Sequence, residues 1–155
     1  MMRLASIQLL GRPLLVALTA GLLLSGTPVG AAPPETAAIR KVLDDQVKAW
    51  NKGDLDGFMA GYWKHDDLRF ISGGQTLRGW KSLKERYEKT YRSEGKEMGK
   101  LKFDAVDVEL LGDSAALVHG KWEVTTTKDA VNGMFTLLFR KQPNGWKIIH
   151  DHTSK

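Results

Sequence analysis

The first strong pattern along the chain is helical. Apolar side chains recur at three- and four-residue steps from Ile39 to Trp50, which places them on one face of an α-helix. Gly53 is suited to end that helix, and Asp54 is a good N-cap for a second, shorter one. The apolar positions of the second helix are Leu55, Phe58, Met59 and Tyr62. The tight joint between the two helices predicts an angled hairpin.

Beyond residue 67 the pattern changes to that of β-strands. Residues 68–72 predict a short strand, Gly73-Gly74 a turn and residues 75–77 the returning strand. Gly79 opens a third helix with an apolar face of Trp80, Leu83, Tyr87 and Tyr91. Four strands joined by short turns follow, over residues 101–111, 115–127, 131–141 and 146–154. The order α-α-β-β-α-β-β-β-β predicts an α+β fold whose helices pack on one face of a curved antiparallel sheet, leaving a concave mouth for a ligand.

The N-terminal segment differs from the rest of the chain. Arg3 and Arg12 are the only charged residues before Glu35, and an apolar run over residues 14–24 follows them. Gly, Pro and small residues come next, which is the order of a secretory signal. A membrane-spanning helix needs roughly 20 apolar residues, and this run is too short for one. The sequence predicts a cleavable signal peptide over residues 1–31, cut after Ala31 or next best after Ala32, and one domain over residues 32–155.

This prediction changes what the charge and composition mean. The formal net charge of +5 falls to (23 − 2) − 18 = +3 once both leader arginines are removed. The remaining positive residues are scattered, which does not favour nucleic-acid binding. No cysteine is present, so disulfides, a lipid-modified cysteine and thiol catalysis are excluded. A periplasmic or secreted protein without a membrane anchor is expected.

The closing strand carries the most unusual chemistry. Regular alternation places one row of side chains on the core face: Trp146, Ile148, His150, His152 and Ser154. Two imidazoles and a hydroxyl thus continue an apolar row, and buried polar groups need partners. A single bulge would exchange part of the two faces.

Three interpretations of this row stay open. The histidines are satisfied structurally, for instance by His152 bonding to Asp66 or Asp67, or they line a pocket as hydrogen-bond partners or proton shuttles. The third interpretation is a metal site, which needs a third ligand that the spacing does not single out. The candidates for that ligand are His65, Asp66, Asp67 and His119. The sequence therefore assigns no metal, and no cofactor-binding motif is found.

Four aromatic residues are candidates for the wall of an apolar pocket or for simple core packing: Tyr62, Phe70, Trp80 and Trp122. Only the polar ends of Tyr and Trp point to a wetter site.

Several segments carry a family resemblance. They are residues 49–54, Tyr62 with Asp66-Asp67, residues 78–80 and, above all, residues 145–154. On these segments, residues 36–154 resemble the nuclear transport factor 2-like superfamily, and within it the exported bacterial SnoaL-like (polyketide-cyclase-like) domains. The closing strand is also similar to that of the association domain of calcium/calmodulin-dependent kinases.

The resemblance implies a cone-shaped, cystatin-like fold with a pocket at its open end, lined by His150, His152 and Ser154. It also implies a homodimer formed through the outer sheet face, where a mixed row of residues is compatible with an interface: Leu117, His119, Lys121 and Glu123. Ketosteroid isomerase-like members place a carboxylate base where this chain has Ser72. A serine does not remove a proton from carbon without activation, so isomerase chemistry of that kind is not supported.

The first functional hypothesis is an exported binding module. It would hold a small, partly apolar molecule among Tyr62, Phe70 and Trp80, with His152 and Ser154 as polar anchors. Such a module predicts a mostly apolar cavity.

Two alternatives remain. A hydrolase, cyclase or isomerase would use His152 as the general base and Asp67 to orient it, which requires the two side chains within hydrogen-bonding reach. A structural or accessory homodimer would have a filled cavity.

Overall fold

The computed structural model describes residues 33–93 and 97–155. The predicted signal peptide and its cleavage site lie outside these residues. The elements are α1 (Pro34–Asn51), α2 (Leu55–Met59), β1 (Arg69–Ser72), β2 (Gln75–Arg78), α3 (Trp80–Tyr91), β3 (Lys100–Leu110), β4 (Ala115–Thr125), β5 (Ala130–Gln142) and β6 (Gly145–Thr153). This order confirms the predicted one. No helix within the described ranges is long and apolar enough to cross a membrane.

The two N-terminal helices form the predicted hairpin. Pro34 occupies the first turn of α1, where its missing N–H costs nothing. Gly53 adopts a φ of 75°, which lets the chain reverse direction. Asp54 then caps α2, because its Oδ1 accepts a hydrogen bond from the Gly57 N–H at 2.8 Å. The buried Gln46 amide donates to the Phe58 carbonyl at 3.0 Å, which ties α1 to α2.

The six strands form one sheet in the order β2-β1-β6-β5-β4-β3. The meander from β3 to β6 is antiparallel as predicted. The contact between β1 and β6 is parallel and pairs Phe70 with Asp151. No short turn connects these two strands, so local sequence signals did not reveal how they pair.

Strand β6 contains a bulge that the alternation pattern did not anticipate. Leu138 pairs with His150 and Phe139 with Ile148, which leaves Ile149 without its own partner in β5. One extra residue reverses the faces of everything that follows it. Ile148 is therefore buried, and so is Asp151. The predicted inward row is correct as far as Ile148 and wrong beyond it.

A second irregularity bends the other end of the sheet. The register between β3 and β4 shifts between Asp104 and Asp107, and Ala105 there has a φ of 48°. Gly120 lies opposite on β4, where a Cβ atom would be 2.7 Å from Phe135 Cζ and 3.0 Å from the Asp104 carbonyl oxygen. The absence of a side chain at residue 120 thus lets the backbone and Phe135 approach closely.

The core lies between the helices and the concave face of the sheet. Trp50 packs edge-on against Phe58 and Tyr91, with ring centroids 5.0 Å and 4.8 Å apart. Strand β4 contributes the row that alternates with the expected outer one, and Ala116, Val118 and Val124 of that row are buried. The opposite row, with His119, Lys121 and Glu123, is exposed on the outer face.

Candidate functional site

A cavity of about 190 Å³ lies between the helices and the concave sheet face. Most of its wall is aromatic or aliphatic, and it includes Trp50, Phe58, Tyr62, Phe70, Trp122 and Phe135. Protein interiors are normally packed to the density of organic crystals. A space of this size next to the core is therefore a feature to be explained.

Asp151 is the acidic side chain in this cavity. It is only 3% exposed, and both carboxylate oxygens accept hydrogen bonds. The Tyr62 hydroxyl donates to Oδ2 at 2.8 Å, and the Thr153 hydroxyl donates to Oδ1 at 2.7 Å. Because a buried carboxyl group needs such donors, these contacts hold Asp151 in a fixed orientation.

The environment of Asp151 changes its acidity. Burial raises the pKa of the carboxyl group to about 6 from an ordinary value of 3.8. The hydrogen bonds from Thr153 and Tyr62 favour the charged form and limit the rise in pKa. The group therefore changes its protonation state near neutral pH, which is the range required of a general acid or base.

The tyrosines near Asp151 remain protonated. Burial, and then the negative charge of Asp151, raise the pKa of Tyr62 well above its usual value. The same two causes, burial first, raise the pKa of Tyr87. Both hydroxyls are thus retained as hydrogen-bond donors facing a carboxyl group that titrates.

The structure distributes the sequence-predicted aromatic residues between two places. Tyr62, Phe70 and Trp122 line the cavity. Trp80 instead lines a separate, open surface groove, and its Nε1 donates to the Met59 carbonyl at 3.1 Å. Its assignment to the same pocket wall was therefore wrong.

The predicted His-x-His-x-Ser row lies outside the cavity. His150 is half-buried, and burial followed by the charge of Arg69 lowers its pKa. His152 and Ser154 are exposed. The bulge at Ile149 is the physical reason, because it turns these side chains to the outer face and turns Asp151 and Thr153 inward. The pocket-lining role inferred for the row, from alternation and from the family resemblance, is corrected accordingly.

The proposed relay between His152 and Asp67 is also absent. Asp67 is exposed and accepts a hydrogen bond from Arg78 Nη2 at 3.0 Å. Its backbone N–H donates to His65 Nδ1 at 3.0 Å. These local contacts fix the loop before β1. Across residues 33–93 and 97–155, no three His, Asp or Glu side chains are grouped so that they would hold a metal ion.

Sequence reasoning missed the charged groups that line the cavity: Asp151, Arg86 and Lys155. Regular alternation placed Asp151 on the outer face, because nothing in the amino-acid sequence of the closing strand indicates the extra residue of the bulge. Arg86 is one of the scattered positive residues, to which the sequence assigned no site. Ser72, noted where relatives carry a base, does line the cavity.

Comparison with known proteins identifies the group to which this architecture is related. A family model described as a SnoaL-like domain matches residues 39–155. A crystal structure of an NTF-2 like protein of unknown function from Shewanella oneidensis is 39% identical, with a TM-score of 0.73 over 77% of this chain and 98% of that chain. No protein with a curated description matches the sequence.

More distant structures share the fold alone. A ketosteroid isomerase-like protein from Erwinia carotovora is 22% identical, with a TM-score of 0.61 over 80% of this chain and 98% of that chain. A cystatin-like protein of unknown function from Nostoc punctiforme is 12% identical, with a TM-score of 0.63 over 77% of this chain and 89% of that chain. The cone-shaped, cystatin-like fold expected from the sequence is confirmed.

Proposed function

The chain belongs to the SnoaL-like domain family, and on that basis we propose that it is an exported domain that binds a small, partly apolar molecule inside the cavity. The observation that carries the proposal is an unfilled space with aromatic walls and one buried carboxyl group. The N-terminal sequence pattern supports export.

The size of the cavity favours a binding role over a purely structural one. A water molecule occupies about 30 Å³ in the liquid, so 190 Å³ corresponds to several waters. An assembly unit gains nothing from such a space, because filling it with side chains would add stability. Small-molecule sites are typically concave, mostly apolar and supplied with a few polar groups, and this cavity has that composition.

Asp151 and Tyr62 replace the histidine and serine anchors expected from the sequence. The carboxyl group of Asp151 already accepts two hydrogen bonds, and its remaining lone pairs are free to accept a ligand hydroxyl or amide. In its protonated form it donates instead. A ligand with one polar group on an apolar body satisfies this arrangement.

Native mass spectrometry of the protein purified from its host tests this proposal. We expect a co-purifying small molecule on the wild type and its loss in Val124→Phe, since Val124 lines the cavity and the larger ring occupies the space. Leu117→Phe is the matched control, because residue 117 lies on the outward row of the same strand. The same adduct on all three proteins, or on none, contradicts a cavity ligand, provided that circular dichroism shows all three folded.

Asp151 also favours a second candidate, an enzyme that transfers protons. A buried carboxyl group with a pKa of about 6, facing an open cavity and oriented by two hydroxyls, has the properties of a general base. In this version of the alternative, Asp151 takes the role first given to His152, and Tyr62 takes the orienting role first given to Asp67.

Nitrobenzisoxazole, a small aromatic carbon acid, is a suitable probe of this second candidate. The carboxylate would take the ring C–H proton, the C–H electron pair would form the nitrile, and the N–O bond would break to release a coloured phenolate. We expect Asp151→Asn to lower kcat/KM by about 100-fold or more and His152→Ala to leave it unchanged. The rate should rise as the pH increases through about 6, since the ionised form is the base. Equal activity in Asp151→Asn and wild type would rule out this role.

A further inference from the structure

Arg86 is a cation that faces the cavity. It lies on α3, is half-buried and lines the cavity. Its Cζ atom lies 5.4 Å from the centroid of the Phe70 ring. Among the residues that the structure describes, its guanidinium makes no ion pair. Stacking on an aromatic ring offsets only part of the cost of holding a charge away from water.

Another cation on the same stretch of α3 behaves differently. Lys84 pairs with Asp56 at 2.7 Å and with Glu88 at 3.6 Å. Carboxylates are therefore available to cations on this helix, yet Arg86 is directed to the cavity instead. The N–H donors of its guanidinium are therefore available to a polar group of a bound ligand.

Further polar side chains line the same cavity as Arg86. Phe70 and Ser72 share one face of β1, and Ser72 is opposite Thr153 in the parallel pairing with β6. Lys155 follows on the same side and also lines the cavity. We call Arg86, Ser72 and Lys155 the cationic rim. It provides a guanidinium, a hydroxyl and an ammonium group beside the apolar wall.

We propose that the molecule bound in the cavity is a small amphipathic anion, with its apolar body against the aromatic wall and its carboxylate on Arg86. This inference rests on the proposed binding function and names the class of ligand. A guanidinium presents parallel N–H donors that match the two oxygens of a carboxylate. Binding such a group gives Arg86 the acidic partner that residues 33–93 and 97–155 do not supply.

The choice of anion follows from the chemistry of the whole site. Asp151 is already oriented by Tyr62 and Thr153, so it is not the partner of Arg86. A neutral apolar ligand would leave the guanidinium unpaired and further removed from water, which is costly. A cationic ligand would be repelled by the rim. An anion of modest size avoids both penalties.

The test uses two probes of nearly the same shape, naphthoate and its neutral analogue naphthamide, with binding to the purified protein measured by isothermal titration calorimetry. We expect the wild type to bind naphthoate at least about tenfold more tightly, a ratio in the range reported for charge-assisted hydrogen bonds. Arg86→Gln should remove the preference, and Arg86→Lys should retain part of it. The matched control is Arg69→Gln, which removes an exposed positive charge from β1 one residue before Phe70 and should leave the preference intact.

The outcomes separate this inference from the function on which it rests. Equal affinity for the two probes, or a preference that survives Arg86→Gln, overturns the anion assignment. If naphthamide still binds the wild type and Val124→Phe abolishes its binding, the cavity function stands while the anion inference fails. If neither probe binds any variant, both fail.

Discussion

At the scale of single residues, the chemistry of Asp151 follows from where its neighbours lie. The same carboxyl group on the outer face would have the acidity of any exposed aspartate. Burial beside Tyr62 raises its pKa to about 6, and the hydroxyls of Tyr62 and Thr153 fix its position. Acidity and orientation are thus produced by contacts with residues 89 and 2 positions away in the sequence.

The raised pKa of Asp151 predicts how stability depends on pH. The folded protein binds this proton more tightly than the unfolded chain, whose carboxyl group titrates near 3.8. Stability contributed by the group is therefore complete at low pH and is lost as the pH rises from about 4 through about 6. Between pH 5 and pH 8 we expect a loss on the order of 1 kcal/mol from this group.

Urea denaturation of wild type and Asp151→Asn at pH 5 and pH 8 measures the effect. Other groups titrate in the same range, so the informative quantity is the difference between the two proteins. The asparagine variant should lose less stability over this interval because it cannot ionise. An identical pH dependence in both would show that the carboxyl group is not perturbed by burial.

At the scale of elements, the bulges determine which side chains reach the site. Regular alternation along β6 predicts its first half correctly, and the extra residue at Ile149 reverses the second half. Bulges of this kind re-aim side chains at functional sites. Here the bulge buries Asp151 and turns His152 outward.

The close approach of β4 to its neighbours gives a prediction for Gly120. Gly120→Ala should destabilise the fold by about 1–3 kcal/mol, because its Cβ would be 2.7 Å from Phe135 Cζ and 3.0 Å from the Asp104 carbonyl oxygen. Thermal denaturation followed by circular dichroism measures the change. Lys121→Ala, at the next and outward-facing residue, is the control and should stay within about 0.5 kcal/mol of wild type. Similar stability of both variants would mean that the sheet accommodates a side chain at residue 120.

At the scale of the whole molecule, the cavity is created jointly by helices and sheet. Trp50 from α1, Tyr87 from α3 and Phe135 from β5 all contribute to its wall. No single element forms the cavity, which exists because the curved sheet and the helices do not fill the volume between them.

The homodimer implied by the family resemblance remains a prediction. The exposed row with His119 and Lys121 is the surface assigned to it.

The sequence by itself determined the order and type of the elements and which row of β4 faces inward. It also named Tyr62, Phe70 and Trp122, which line the cavity, among four candidates for either a pocket wall or core packing. These properties follow from local periodicity and turn residues, which can be read from the sequence of each segment alone. The family resemblance added the cone-shaped fold.

Only the tertiary structure decided the parallel pairing of β1 with β6, the bulge at Ile149 and the inward direction of Asp151 and Arg86. Each of these depends on contacts between segments far apart in the chain. A bulge changes strand register without changing the composition of the strand, and register is set by the partner strand. The sequence therefore showed that the closing strand carries titratable side chains. Only the packing of the sheet decided that its aspartate, and not its histidines, faces the cavity.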